Sequence, residues 1–198
     1  MVLRLWVRNH ITDRVNAPIR RQLASLIPSG ARVVEVGCAN GRLLLDVGWR
    51  VDCALGIDRD APMIDAAIRS ARRRNLPHLE FIAADARNLT QWLRFRPDLA
   101  VASLSLHEMP PRTAVAVLRQ LALADTVLIA DLVEPESGLQ RALLHADEWI
   151  AGHLDRYRAY QAQGGMPALL EAGGLAVRQM LPTRNPAVRI WVCAPHVH

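Results

Sequence analysis

Arg32-Val33-Val34-Glu35-Val36-Gly37-Cys38-Ala39-Asn40-Gly41 is the stretch that decides the fold. Its first half is a short β-branched run, the composition of a strand. It passes directly into small residues at alternate positions, where a backbone turns sharply and a ligand approaches without meeting side chains. Residues 43–47 then read as the opening of a short helix. The unit is strand, glycine loop, helix, and something binds against the loop.

The same unit recurs outward along the chain. Residues 53–58 read as a second strand, after which Asp60 caps a helix with Ile64, Ala67, Ile68 and Ala71 on one face. Arg72, Arg73 and Arg74 close that helix, where cations complement the carbonyl end of its dipole better than they suit a nucleic-acid patch. Residues 79–84, 99–104 and 126–130 read as three more strands, and Pro110-Pro111 opens a helix with Ala114, Val117, Leu118 and Leu121 inward. Upstream, Asn16 reads as an N-cap before Ile19, Leu23, Leu26 and Ile27, a stripe that ends at Pro28-Ser29-Gly30. Strands separated by helices imply a parallel sheet with right-handed crossovers. The last two strands, 175–181 and 188–193, are joined by a link too short for a crossover helix, so they form an antiparallel hairpin.

The expected fold class is therefore α/β: a doubly wound Rossmann-like sheet of seven strands with a C-terminal antiparallel hairpin and a helical insertion after strand five. The stripe Leu139, Leu143, Ala146, Ile150, Leu154 and Tyr157 makes that insertion one or two long helices bent near Gly152. With no Gly/Ser/Pro-rich linker, residues 1–198 form one domain: an N-terminal helical segment (1–29), a binding core (30–135), a helical cover (136–164), and a last helix with the hairpin (165–198).

The 24 basic residues are all Arg, against 19 acidic ones, a net charge of +5. A chain without Lys has no Schiff-base lysine and no Walker-type phosphate lysine, so pyridoxal chemistry and P-loop hydrolysis drop out. Cys38, Cys53 and Cys193 lie far apart with no paired spacing, which points away from a disulfide framework or zinc site and toward a reducing, cytoplasmic setting. Apolar runs are too short to span a bilayer, and residues 1–9 lack the pattern of a signal peptide, so the expectation is an unexported protein.

Asp58 ends the second strand 21 positions after Gly37, where an acid accepts hydrogen bonds from both ribose hydroxyls. The dinucleotide fingerprint fails, because its third small position is occupied by Arg42. Singly, Glu35, Asp58 and Asp85 each have an ordinary reading as solvated or amide-capping acids. Their joint placement at three successive strand ends favours a ligand across those ends.

At Glu35-x-Gly37-x-Ala39-x-Gly41 the chain resembles the class I S-adenosylmethionine-dependent methyltransferases, with Ala39 the one departure from the family's three alternating glycines. Gly56-Ile57-Asp58 looks like the family's ribose-binding strand end, and Phe81-Ile82-Ala83-Ala84-Asp85-Ala86 like its adenine motif. The resemblance implies S-adenosyl-L-methionine as cofactor, S-adenosyl-L-homocysteine as product, and a binding set of Glu35, Gly37, Cys38, Ala39, Gly41, Asp58, Arg59, Asp85, Ala86 and Ser103. Asp85 would accept from the adenine amino group and the Ala86 N–H donate to the ring.

After the fourth strand comes Ser103-Leu104-Ser105-Leu106-His107-Glu108-Met109-Pro110. It lacks the Asn/Asp-Pro-Pro-aromatic motif of nucleic-acid amine methyltransferases, and serines stand where the magnesium-dependent type has an acid, so no metal is expected. His107 is the candidate base, with backbone capping as its ordinary alternative. Glu108 could orient His107 or bind a cationic substrate, and the preferred reading is an acid of the first helical turn. Within the insertion, Arg156, Tyr157 and Tyr160 are the candidate substrate contacts, with packing as their alternative. The expected reaction is methyl transfer by in-line displacement to a small-molecule O or N acceptor, with no membrane span. An RNA-modifying enzyme and a non-catalytic cofactor-binding module are the alternatives; dispersed Arg and only two Tyr and two Phe argue against the RNA reading.

Overall fold

The computed structural model of the chain describes residues 16–134 and 154–196. One sheet holds β1 (Arg32–Val36), β2 (Cys53–Asp58), β3 (Leu79–Ala83), β4 (Leu99–Ser103), β5 (Thr126–Leu132), β6 (Leu175–Pro182) and β7 (Val188–Pro195). Their order is β3-β2-β1-β4-β5-β7-β6. β1 pairs in parallel with both β2 and β4, so the strand order reverses beside β1, where open α/β sheets bind ligands. β7 inserts between β5 and β6 and runs antiparallel to both, which is the expected hairpin.

Helices α1 (residues 16–26), α2 (Arg42–Val47), α3 (Ala61–Arg73) and α4 (Pro111–Leu121) accompany the parallel strands, and a 3-10 turn, Ala86–Gln91, follows β3. Ile19 and Leu23 of α1 with Ile27 just past its end, Ile64, Ala67 and Ala71 of α3, and Ala114, Val117, Leu118 and Leu121 of α4 are buried, while Leu26 and Ile68 of the expected stripes are half-buried. Asp60 caps α3, its carboxylate accepting from the Met63 N–H at 3.0 Å. The arginines at the end of α3 are partly used by the fold: Arg74 Nη1 donates to the Leu45 carbonyl at 3.0 Å. Asp46 accepts from Arg20 Nε at 2.9 Å and lies 3.9 Å from Arg74 Nη1, so one acid on α2 ties α1 and α3.

Three differences from the sequence reading matter for the site. Asn16 lies within α1 rather than capping it. β5 continues through Leu132, which carries Asp131 into the buried sheet. Leu104 leaves β4 with a left-handed φ of 50°, a conformation that a bulky side chain resists. In the insertion, residues 135–153, including the expected bend near Gly152, lie outside the described residues. The remainder forms α5 (Leu154–Ala162) and α6 (Gly165–Ala172), with Gly164 at φ 90° capping α6 and Gly165 at φ 62° opening it. Among the described residues, no helix is long and apolar enough to cross a membrane.

Candidate active site

The carboxyl ends of β1, β2, β3 and β4 open onto one cleft in two halves. The first half, about 300 Å³, is walled by Glu35, Gly37, Cys38, Ala39 and Ser103 together with Asn16 and Arg20 of α1. The second, about 310 Å³, is walled by Arg59, Asp85, Ala86, Met109, Thr113 and Arg156. Gly37, Asp58, Ser105 and Glu108 border both. Gly37 sits at φ +66°, and a Cβ there would lie 2.7 Å from the Ser105 Cβ, so only glycine leaves the waist of the cleft open. Gly41, at φ +70°, lets Phe81 pack where a Cβ would come within 2.4 Å of its ring.

Ala39 takes a left-handed φ of 46°, the conformation for which a glycine is the usual choice. Its N–H donates to Asp58 Oδ2 at 2.8 Å, and the Asp60 N–H donates to Oδ1 at 2.9 Å. One carboxylate thus braces the loop and borders both halves of the cleft. Glu35 is buried at 4% exposure, and its Oε2 has no hydrogen-bond partner among the described residues. Burial, then the neighbouring Asp58 charge, push its carboxyl up to about 8. Cys38 is buried and its thiol is pushed up as well, mainly by desolvation, which makes it a packing group rather than a nucleophile.

Asp85 is held well below the usual carboxylate range, chiefly by the Arg87 side chain, with the Arg87 N–H and Arg59 adding to it against some desolvation. Arg87 Nη2 donates at 2.7 Å and Arg59 pairs with the same oxygen. Ala86 is buried at the start of the 3-10 turn that Asp85 caps. Of the expected binding residues, Glu35, Gly37, Cys38, Ala39, Asp58, Arg59, Asp85, Ala86 and Ser103 wall the cleft, whereas Gly41 packs against Phe81 behind it, and the charge that sequence placed on Asp85 alone is shared with two guanidinium groups.

His107 is buried at 4% exposure and is not among the described residues that wall either half. Its Nδ1 bonds Asp131 Oδ1, and Asp131 Oδ2 accepts from the Leu106 N–H at 3.0 Å. The Leu132 N–H donates to Asp131 Oδ1 at 2.8 Å. Asp131 is fully buried, and sequence reading missed it; an acid inside the apolar run Val127-Leu128-Ile129-Ala130-Asp131-Leu132 was the available signal. Glu108 lies in the loop ahead of Pro110, the N-cap of α4, so the first-turn reading of this acid is corrected. Asn16, Arg20 and Met63 are further cleft residues that the sequence did not point to as part of the site.

The three candidate substrate residues separate. Arg156 reaches the second half of the cleft. Tyr157 and Tyr160 do not wall it: they are 1% and 2% exposed, with ring centroids 6.2 Å apart. The Tyr160 hydroxyl donates to the Leu132 carbonyl at 2.7 Å, and Gln161 donates to the Tyr157 hydroxyl at 3.0 Å. Both rings are core, packed by the helix periodicity that made them look like paired contacts. Tyr160→Ala is expected to lower unfolding stability by about 3–5 kcal/mol, the cost of emptying a large buried site. Denaturant titration measures it, and a change below ~1 kcal/mol would contradict the packing role.

Residues 33–124 match the family model described as "Methyltransferase domain". A 23S rRNA (uracil(1939)-C(5))-methyltransferase, RlmD, of Xylella fastidiosa strain 9a5c is 35% identical over 95 residues, 48% of this chain and 21% of that protein. The mitomycin 7-O-methyltransferase MmcR superposes with a TM-score of 0.70 at 22% identity, covering 92% of this chain and 54% of that one. The O-methyltransferase NcsB1 from neocarzinostatin biosynthesis, solved with S-adenosylmethionine and 2-hydroxy-5-methyl naphthoic acid, gives 0.69 at 21% identity, covering 98% of this chain and 58% of that one. The chain thus spans about a fifth of the curated relative and little more than half of these structures.

Proposed function

We propose, from the premise that the chain belongs to the class I S-adenosylmethionine-dependent methyltransferases, that it moves a methyl group from that cofactor to an oxygen or nitrogen of a small molecule. The observation that carries the reading is the two-halved cleft with its glycine waist. A long, kinked cofactor fits it: an amino-acid end beside Glu35 and Arg20, a ribose on Asp58, and an adenine beside Asp85 and Ala86. The orphaned Glu35 oxygen and the cradle that any Cβ at Gly37 would fill both suit such an occupant.

When bound, S-adenosylmethionine supplies an electrophilic methyl on a sulfonium. The chain's own contribution is positional. Gly37 and Ser105 set the width of the waist, and Asp58 holds the loop and would hold the ribose, so that donor and acceptor would be kept in line. In-line displacement requires no covalent bond to the protein. The small-molecule reading draws support from the acceptor types named for MmcR and NcsB1. RlmD, by name an rRNA enzyme, raises the RNA reading. Against it, Arg74 at the end of α3 donates to the Leu45 carbonyl of α2, and Arg73 bonds Ser70 Oγ of its own helix at 2.9 Å.

Titration calorimetry with S-adenosylhomocysteine tests the reading: stoichiometric binding is expected, and absence of binding would overturn it. The same titration in EDTA is expected to give an unchanged affinity, since Ser103 and Ser105 stand where a magnesium-type site needs an acid; a loss restored by magnesium would show the loop misread.

A further inference from the structure

We propose that Glu108 is the catalytic residue that meets the methyl acceptor, and that His107 and Asp131 stand behind it as positioning residues. The inference rests on the methyltransferase reading and assigns the acceptor side of that site.

Glu108 and Ser105 border both halves of the cleft across from Gly37, at the waist where the two halves meet. A cofactor lying through both halves would carry its sulfonium past this waist, between the amino-acid end and the ribose. His107, the residue that sequence favours as a base, is buried and outside the described walls. Its ring lies between two carboxylates: Nδ1 bonds Asp131 Oδ1, and Nε2 lies 3.9 Å from Glu108 Oε1. Asp131 is held in turn by the Leu106 and Leu132 N–H groups. The line Asp131, His107, Glu108 therefore runs from the sheet interior to the cleft, and its cleft end is a carboxylate with 39% side-chain exposure. Asp58 also borders both halves, but its two oxygens already accept from the Ala39 and Asp60 N–H groups, whereas Glu108 reaches the waist from the far side of the cleft, on the loop after β4.

The chemistry calls for an anion at that place. As the acceptor's lone pair closes on the methyl carbon and the carbon–sulfur pair returns to sulfur, positive charge leaves sulfur and grows on the acceptor atom. A carboxylate beside that atom stabilises the charge and takes the proton of an N–H or O–H acceptor. The acceptor class is thus a neutral amine or hydroxyl that still carries a proton when it attacks.

Sinefungin tests this without knowledge of the acceptor, because it carries an ammonium on carbon where the cofactor carries its methyl. Calorimetry with sinefungin and S-adenosylhomocysteine is run on the wild type, Glu108→Gln, Glu108→Ala and His107→Gln. Both Glu108 variants are expected to bind sinefungin about tenfold or more weaker, with S-adenosylhomocysteine changed less than twofold. His107→Gln is expected to lower the same sinefungin preference by a smaller factor. A purely structural loss would weaken both ligands together. An unchanged sinefungin preference in both Glu108 variants overturns the proposal. Failure of S-adenosylhomocysteine to bind the wild type overturns the cofactor reading instead.

Discussion

Asp58→Ala is expected to weaken S-adenosylhomocysteine binding roughly 100-fold, a loss of about 3 kcal/mol. Two effects combine. The carboxylate would accept from both ribose hydroxyls, and hydrogen bonds to a charged group contribute about 1.5–3 kcal/mol each. The same group also holds the loop, since Oδ2 accepts from the Ala39 N–H at 2.8 Å while Ala39 sits at a left-handed φ of 46°. Without that bond an alanine has no reason to stay there, and the loop must be reordered when ligand binds. Asp58→Asn keeps one side-chain oxygen for the loop and is expected to lose about tenfold. Calorimetry on the three proteins measures both steps, and equal affinities would refute the ribose role and the bracing role at once.

Affinity for S-adenosylhomocysteine is expected to rise with pH between about 6 and 8, and Glu35→Gln is expected to abolish the rise. Burial and the Asp58 charge push the Glu35 carboxyl up to about 8, so the free protein holds a proton there at neutral pH. An amino-acid ammonium beside the carboxyl favours the ionised form, so binding expels the proton and tightens as protons become scarcer. The limiting slope is tenfold per pH unit, about 1.4 kcal/mol. Stability of the free protein runs the other way. The folded pKa lies above the ordinary 4.5, so the favourable contribution is complete below 4.5 and is lost as pH rises toward 8. Glu35→Gln is therefore expected to be more stable than the wild type at pH 8 in the absence of ligand. Urea titrations at pH 5 and pH 8 check this, and a wild type more stable at pH 8 than at pH 5 relative to Glu35→Gln would contradict the buried neutral acid.

The amino-acid sequence by itself determined the order of elements along the chain, the C-terminal hairpin and the convergence of Glu35, Gly37, Asp58 and Asp85 on one end of the sheet. These follow from local rules: side-chain periodicity sets the buried faces, glycine sets the turn, and parallel connections put every strand end on the same side. Ala39 shows the limit of motif reading, because its left-handed backbone keeps the glycine geometry although the residue has changed. Only the tertiary structure decided which side chains face the cleft. Tyr157, Tyr160 and Arg156 share one helix, yet two are core and one reaches the ligand side, because what lies opposite each position depends on elements far away in the chain. Asp131 is 24 residues from His107 and became its partner through the parallel pairing of β4 with β5, a long-range register that periodicity within either strand does not encode.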